Sequence, residues 1–191
     1  MYWSKSIIER KINVDDLLKI DSNFNEAMFK TKVDNIFVKL HTAIMLGRLE
    51  QVKHFFNEEV YNKYDNIIKE LDSKNQRQMY DELNVKSTDI ESVNIFDDKI
   101  EIKVRIVSRY MEYLLDKITG NYISGNNTSR VEKNNILTFT KKIVTKELKM
   151  SRKCPSCGAN MDINNYGKCD YCGMIFNLEN YDYILTDIVT Y

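Results

Sequence analysis

Ile100-Glu101-Ile102-Lys103-Val104-Arg105-Ile106-Val107 sets an aliphatic residue at every even position and, up to Arg105, a charge at every odd one. Successive side chains of a strand point to opposite faces, so this period of two predicts a β-strand with one face buried. Working outward, the stretch around Leu83 to Ile95 supplies a partner strand, with a turn at Asp97-Asp98-Lys99. Thr119-Gly120-Asn121 is a second hairpin signal, because glycine accepts the positive φ of tight turns. Beyond it, Ile136, Thr138, Thr140, Ile143 and Val144 belong to another β-rich segment. Tyr181 to Tyr191 reads as a last strand. Tyr183, Leu185, Asp187 and Val189 would face one way, and Ile184, Thr186, Ile188 and Thr190 the other.

Upstream of Asn75 the period is helical. Asn23 with Glu26 three residues later resembles a capping box. Phe29, Val33, Ile36, Phe37, Leu40 and Ile44 recur at steps of three and four, which makes one apolar stripe on a long helix. Gly47 ends it. A shorter helix through Leu49, Val52, Phe55 and Phe56 should follow. A third, from about Asn57 to Ser73, carries Val60, Tyr64, Ile67, Ile68 and Leu71. Helices first and then a mainly antiparallel sheet make the fold class α+β.

The chain has 191 residues, 43% of them hydrophobic, which suffices for one well-buried core or one core with a small appendage. Lys+Arg and Asp+Glu balance at 28 each, so no basic surplus exists to neutralise phosphates, and no nucleic-acid partner is expected. No export signal and no run of some 18 apolar residues is visible, so the expected location is the cytoplasm, or the periphery of a membrane. Residues 1–20 read as an N-terminal arm. Trp3, Ile7, Ile8 and Ile12 could share a face of a short helix whose other side carries Lys5, Arg10 and Lys11. Such a piece either packs on the protein's own body or seeks a membrane surface.

Cys154-Pro155-Ser156-Cys157-Gly158 and Cys169-Asp170-Tyr171-Cys172-Gly173 form two C-x-x-C pairs. Each pair can bend into a knuckle that aims two thiolates at one ion, and the following glycine permits the left-handed backbone such a knuckle uses. Cys154, Cys157, Cys169 and Cys172 are therefore the predicted ligands of one structural zinc ion. Four sulfurs close a tetrahedral shell and leave no position for substrate. The same knuckles could hold a rubredoxin-like iron, and one pair alone would suit a redox dithiol. From Ser151 to Ile175, Arg152, Lys153 and Lys168 oppose Asp162 and Asp170, a sum of +1. Four thiolates and a zinc ion lower it to about −1, which suits a clip or a protein contact better than a phosphate clamp. The segment precedes the last predicted strand, so it reads as an insertion.

His41 and His54 are the only histidines, and neither sits in a metal-ligand or nucleophile motif. The carboxylate pairs Asp15-Asp16, Glu58-Glu59 and Asp97-Asp98 look like helix starts or turns. With no glycine-rich phosphate loop either, no catalytic residue is assigned and no enzyme is expected.

Taken together, these features resemble a known family, bacterial zinc-ribbon proteins with a domain like that of the mitochondrial import subunit Tim-forty-four. The resemblance runs from about Ile20 to Ile188. It is carried by Ile20-Asp21, Phe24, Phe29, Val33, Phe37, Leu40, Ala43, Gly47 and Leu49. It returns at Tyr113-Leu114-Leu115-Asp116, Thr119-Gly120 and Gly125. The cysteine block with Gly158-Ala159, Gly167-Lys168 and Tyr171 and the ending Tyr181-Asp182-Tyr183-Ile184-Leu185 complete it. Arg48, Glu112 and Tyr183 stand where the family pattern has an acidic residue, Asp and Trp.

The resemblance implies a cone of the nuclear-transport-factor-two type, with helices packed on a curved sheet around an apolar pocket. The domain would span residues 21–191, with the zinc ribbon over 151–176 inserted. It also implies a non-enzymatic adaptor or tether at a membrane surface or membrane protein complex, with a transport-related role. The alternative is a small-molecule or lipid-binding cone, in which the helix of Phe29 and Phe37 and the sheet hold an apolar ligand.

Overall fold

The computed structural model of the chain describes residues 9–96, 98–143, 158–160, 171–172 and 182–191. Its elements are β1 (Glu9–Ile12), α1 (Val14–Ile20), α2 (Glu26–Leu46), a 3-10 helix (Leu49–Phe55) and α3 (Glu58–Ser73), then β2 (Gln76–Phe96), β3 (Lys99–Asp116), β4 (Tyr122–Lys142) and β5 (Ile184–Thr190). The strands form one sheet in chain order, each neighbouring pair antiparallel. The expected α+β class holds.

Asparagines start all three α-helices. Asn13, Asn25 and Asn57 accept the amides of Asp16, Met28 and Val60, which gives a partner to one of the otherwise orphaned donors of each first turn. The cap of α2 is thus Asn25 and not Asn23, because the chain is still non-helical there and Glu26 is the first helical residue. At the other end Gly47 takes φ +63° and closes the helix as expected. The predicted stripe is the buried one: Val33, Ile36, Phe37 and Leu40 are at most 1% exposed. It lies on Ile100, Ile102, Val104 and Ile106 of β3 and on Leu137 and Phe139 of β4, all equally sealed. The Phe29 and Phe139 rings meet edge-on at 5.6 Å.

Phe96 pairs with Lys99, and Asp98 lies in the turn expected there. Three expectations for the strands change. First, residues 9–12 are not helical: they pair with Val93–Phe96, and Ile12 packs half-buried against the core. The next helix adds Leu17, fully buried, so the described part of the N-terminal arm packs on the protein's own body. Second, β2 begins at Gln76, well before Leu83. Third, β5 does not alternate strictly. A register shift opposite Thr138/Phe139 turns Leu185 and Ile188 to the same core, so the two faces read from the sequence change over within the strand. Residues 1–8, Val144, Tyr181 and most of the cysteine segment lie outside the described residues.

Bulges interrupt β2 against β3 at Asp81/Asn84, Val85/Ser87 and Ile90/Ser92. Others lie between β3 and β4 at Tyr110/Glu112 and Leu114/Leu115. Each extra residue bends its strand and adds twist, and Glu82, with φ +52°, takes a left-handed position at one of them. β2 and β4 each run for 21 residues, roughly 70 Å if straight, far longer than the helix layer needs. The three middle strands therefore extend past the core as an outer hairpin.

Candidate functional site

Cys154, Cys157 and Cys169 lie outside the described residues, while Cys172 is exposed, as is Tyr171. Gly158, directly after Cys157, has φ +72°, the left-handed backbone expected of a knuckle glycine. Among the described residues no three potential ligands come together. Four thiolates are a donor set that suits zinc.

Both ends of the cysteine segment are pinned to the helices by charges. Lys141, on the last turn of ladder before it, pairs with Asp21 at 2.7 Å, with both side chains largely buried. Tyr183, just after it, donates its hydroxyl to the same carboxylate at 3.1 Å, and Lys141 lies over the Tyr183 ring. Burial and Asp21 push the Tyr183 phenol well above its usual range. Lys32 of α2 pairs with Asp182 at 2.5 Å and donates to the Tyr183 carbonyl. No pattern in the sequence announces these pins, since Asp21 and Lys141 stand 120 positions apart.

His41 is buried on α2. Its Nδ1 donates to the Phe37 carbonyl at 2.8 Å, and its ring packs on Phe37, Tyr80 and Tyr110 at 4.2, 4.6 and 5.5 Å. Burial lowers its pKa to about 4, against smaller opposing effects of the Phe37 bond and Glu112. His54 stacks on Phe55 at 4.0 Å, and burial followed by Lys39 and Lys32 lowers its pKa as well. The histidines thus sit apart, each in an aromatic setting. Asp15-Asp16 and Glu58-Glu59 occupy the first turns of α1 and α3, and Asp98 lies in the β2–β3 turn, as the sequence suggests.

Phe29 and Phe37, expected to line a pocket between α2 and the sheet, are 5% and 0% exposed. Open space of about 410 Å³ lies along another side of α2, beside Met28, Ile36 and Phe55.

Among the described residues the outer hairpin presents an organised exposed apolar surface. Along β3 the core face passes from Ile106 to Ser108, whose Oγ accepts from Asn135 at 3.1 Å; Thr190 in turn donates to Asn135. Past this buried polar step, Tyr113 donates to Asp81 at 2.5 Å, which raises its pKa, and its ring lies 6.5 Å from Tyr122. At the tip, Asp116 accepts from the amides of Ile118 and Thr119 and from the Thr119 hydroxyl at 2.7–3.0 Å. These bonds, led by the Thr119 amide, hold the Asp116 carboxyl below its usual range. Gly120, at φ +74°, reverses the chain. Lys117 ties the tip to the α3–β2 corner through its amide to the Asn75 carbonyl at 2.7 Å and its ammonium to Asp72 at 2.6 Å. Held by this framework, Ile118 is 78% exposed, with Tyr122, Ile123 and Val131 all at least 40% exposed. An apolar side chain fixed in water by a turn suits insertion into a partner, not catalysis. The sequence marks this turn through Thr119-Gly120, but it gives no sign that Ile118 is the residue presented.

A model of the Tim44-like domain matches residues 13–151 of the chain. The match spans the elements from α1 to β4 and so contains the outer hairpin; it begins before Ile20 and ends ahead of Cys154. No curated protein matches the chain. Among the described residues no helix is long and apolar enough to cross a membrane.

Proposed function

The chain belongs to the Tim44-like domain family, and from that premise we propose that it is a non-enzymatic tether. It docks at a membrane surface or membrane protein complex in a transport-related role. Its domain is a cone of the nuclear-transport-factor-two type, and its cysteine segment is a zinc ribbon inserted between β4 and β5. The observation that carries the tether is the outer hairpin, where Asp116, Lys117 and Gly120 hold Ile118 out into water. Exposed apolar groups on a rigid turn can enter a groove on a partner without a large ordering cost. Peripheral placement is in keeping with this, because the docking groups are few and the core is complete without them.

Cosedimentation with native membranes tests the reading. Wild-type chain should sediment with them and Ile118→Asp should stay in the supernatant, both with native circular dichroism. Equal partition of the two would overturn the tip as the docking element.

The zinc would be held by Cys154, Cys157, Cys169 and Cys172 as thiolates, which supplies a crosslink and no chemistry. Lys141–Asp21 and Lys32–Asp182 would then anchor the stem of a closed loop. Elemental analysis should find close to one zinc per chain, lost in Cys169→Ser. A clear excess of iron, or full metal in that variant, would overturn the assignment.

A further inference from the structure

The open side of α2, opposite its buried stripe, carries Met28, Thr31, Lys32, Asn35 and Lys39 at steps of three and four, so they share one face. Phe55 of the 3-10 helix forms the wall across from them, and together they bound the space of about 410 Å³. That volume falls within the range of small-molecule sites. The floor is apolar: Met28 is 73% exposed, and Ile36 and Phe55 line the middle.

The lining is also one-signed, with two lysines and no carboxylate. Lys32 is occupied by Asp182, and burial lowers its pKa despite that partner. Lys39 is different. It has no ion pair among the described residues and rests on the Phe55 ring, 5.2 Å from its centre. His54, stacked behind Phe55, feels both lysines as repulsion. An unpaired cation at one end of an apolar groove is complementary to a single negative charge on an apolar body.

We infer that this groove binds a medium-chain fatty acid, with its carboxylate on Lys39 and its chain running past Phe55 and Ile36 to Met28. Met28 and Lys39 stand eleven residues apart on α2, about 16 Å along the helix axis, a length that contains such a chain when extended. The site is separate from the outer hairpin and does not depend on its role. It also differs in place from a pocket inside the cone, since its α2 residues apart from Ile36 lie outside the buried stripe.

The full chain, labelled with 13C at the methionine methyls, can be titrated with decanoate below its micelle concentration. The Met28 resonance is assigned from Met28→Leu. It should shift saturably, Lys39→Gln should weaken binding about tenfold for the loss of one charge-assisted contact, and decanol should bind no better than to that variant. Lys39 is exposed, so Lys39→Gln is expected to fold, and an unchanged amide spectrum verifies it. Equal affinity in Lys39→Gln, or equal affinity for decanol, would overturn recognition of the carboxylate. No saturable shift would overturn the site itself.

Discussion

From Ile100 to Ile106 the inner face of β3 lies sealed under α2, with burial running out at Ser108 and Tyr110, whereas from Met111 to Asp116 the same strand has no buried residue. The partner strands repeat the contrast. Leu137 and Phe139 of β4 are completely buried, but Tyr122 to Ser129 of that strand are exposed apart from Asn126. The inner half is held by apolar burial, and every large side chain there has aliphatic or aromatic neighbours. The outer half is held by ladder bonds and polar side-chain contacts, such as Tyr113–Asp81, Lys133–Glu112 and Lys86–Glu132. Surface ion pairs of this kind contribute little each. One strand is therefore held in two ways, by apolar burial at its start and by polar contacts at its end.

If that division is right, the largest loss of stability comes from the inner half. Phe37 is fully buried between α2 and the sheet. Phe37→Ala removes its transfer energy and leaves a cavity, at a cost of about 4 kcal/mol. For a chain of this size that lowers the melting temperature by about 10 °C, which differential scanning calorimetry measures. A loss of only a degree or two would mean that the α2–sheet interface is not the seat of stability.

A smaller effect comes from acid. Burial holds the His41 pKa at about 4, below the usual 6.5, so the folded chain takes up this proton less readily than the unfolded chain. The stabilising effect is complete above about pH 6.5 and is lost as pH falls toward about 4, on the order of 3 kcal/mol in all. Urea unfolding across that range should therefore show a steeper pH dependence in wild type than in His41→Gln. Equal slopes would assign the acid sensitivity to other groups.

The same contrast explains what could be read in advance. β3 was legible between Ile100 and Ile106 because one face is buried there, and burial is what imposes a period of two on a sequence. The stripe from Phe29 to Ile44 was legible for the same reason. The outer parts of β2 and β4 carry no such record, since Asn126, Thr128 and Arg130 meet solvent on either face. This is why β2 seemed to start near Leu83. β1 escaped notice because Glu9-Arg10-Lys11-Ile12 has a single apolar residue. The bulge in β5 was invisible too, since nothing local distinguishes a pleat that slips by one residue. Of the docking tip, the turn residues were legible and the exposed isoleucine was not. The four cysteines were assigned to zinc from spacing alone, and among the described residues only the left-handed Gly158 bears structurally on that reading.

The smallest change in global stability, and the most telling for the comparison, belongs to Gly125. It stands on the outer part of β4 at φ +104°, paired with Tyr113 of β3. A Cβ there would lie 2.5 Å from the Glu112 carbonyl oxygen and 2.6 Å from the Tyr113 Cα, both backbone atoms that cannot swing aside. Gly125→Ala thus combines a strained dihedral with a clash, a local cost of about 2 kcal/mol. Because the hairpin beyond Tyr110 adds no buried apolar residue to the core, the strain should be relieved by opening the hairpin and not by unfolding the chain. Hydrogen exchange should then accelerate from Arg109 to Val131 while the amides of Ile100 to Ile106 keep their protection, and the melting temperature should move by only a few degrees. Uniform acceleration through both halves would show that they unfold as one unit. The outer hairpin would then be part of the structural core rather than a presenting arm built on it.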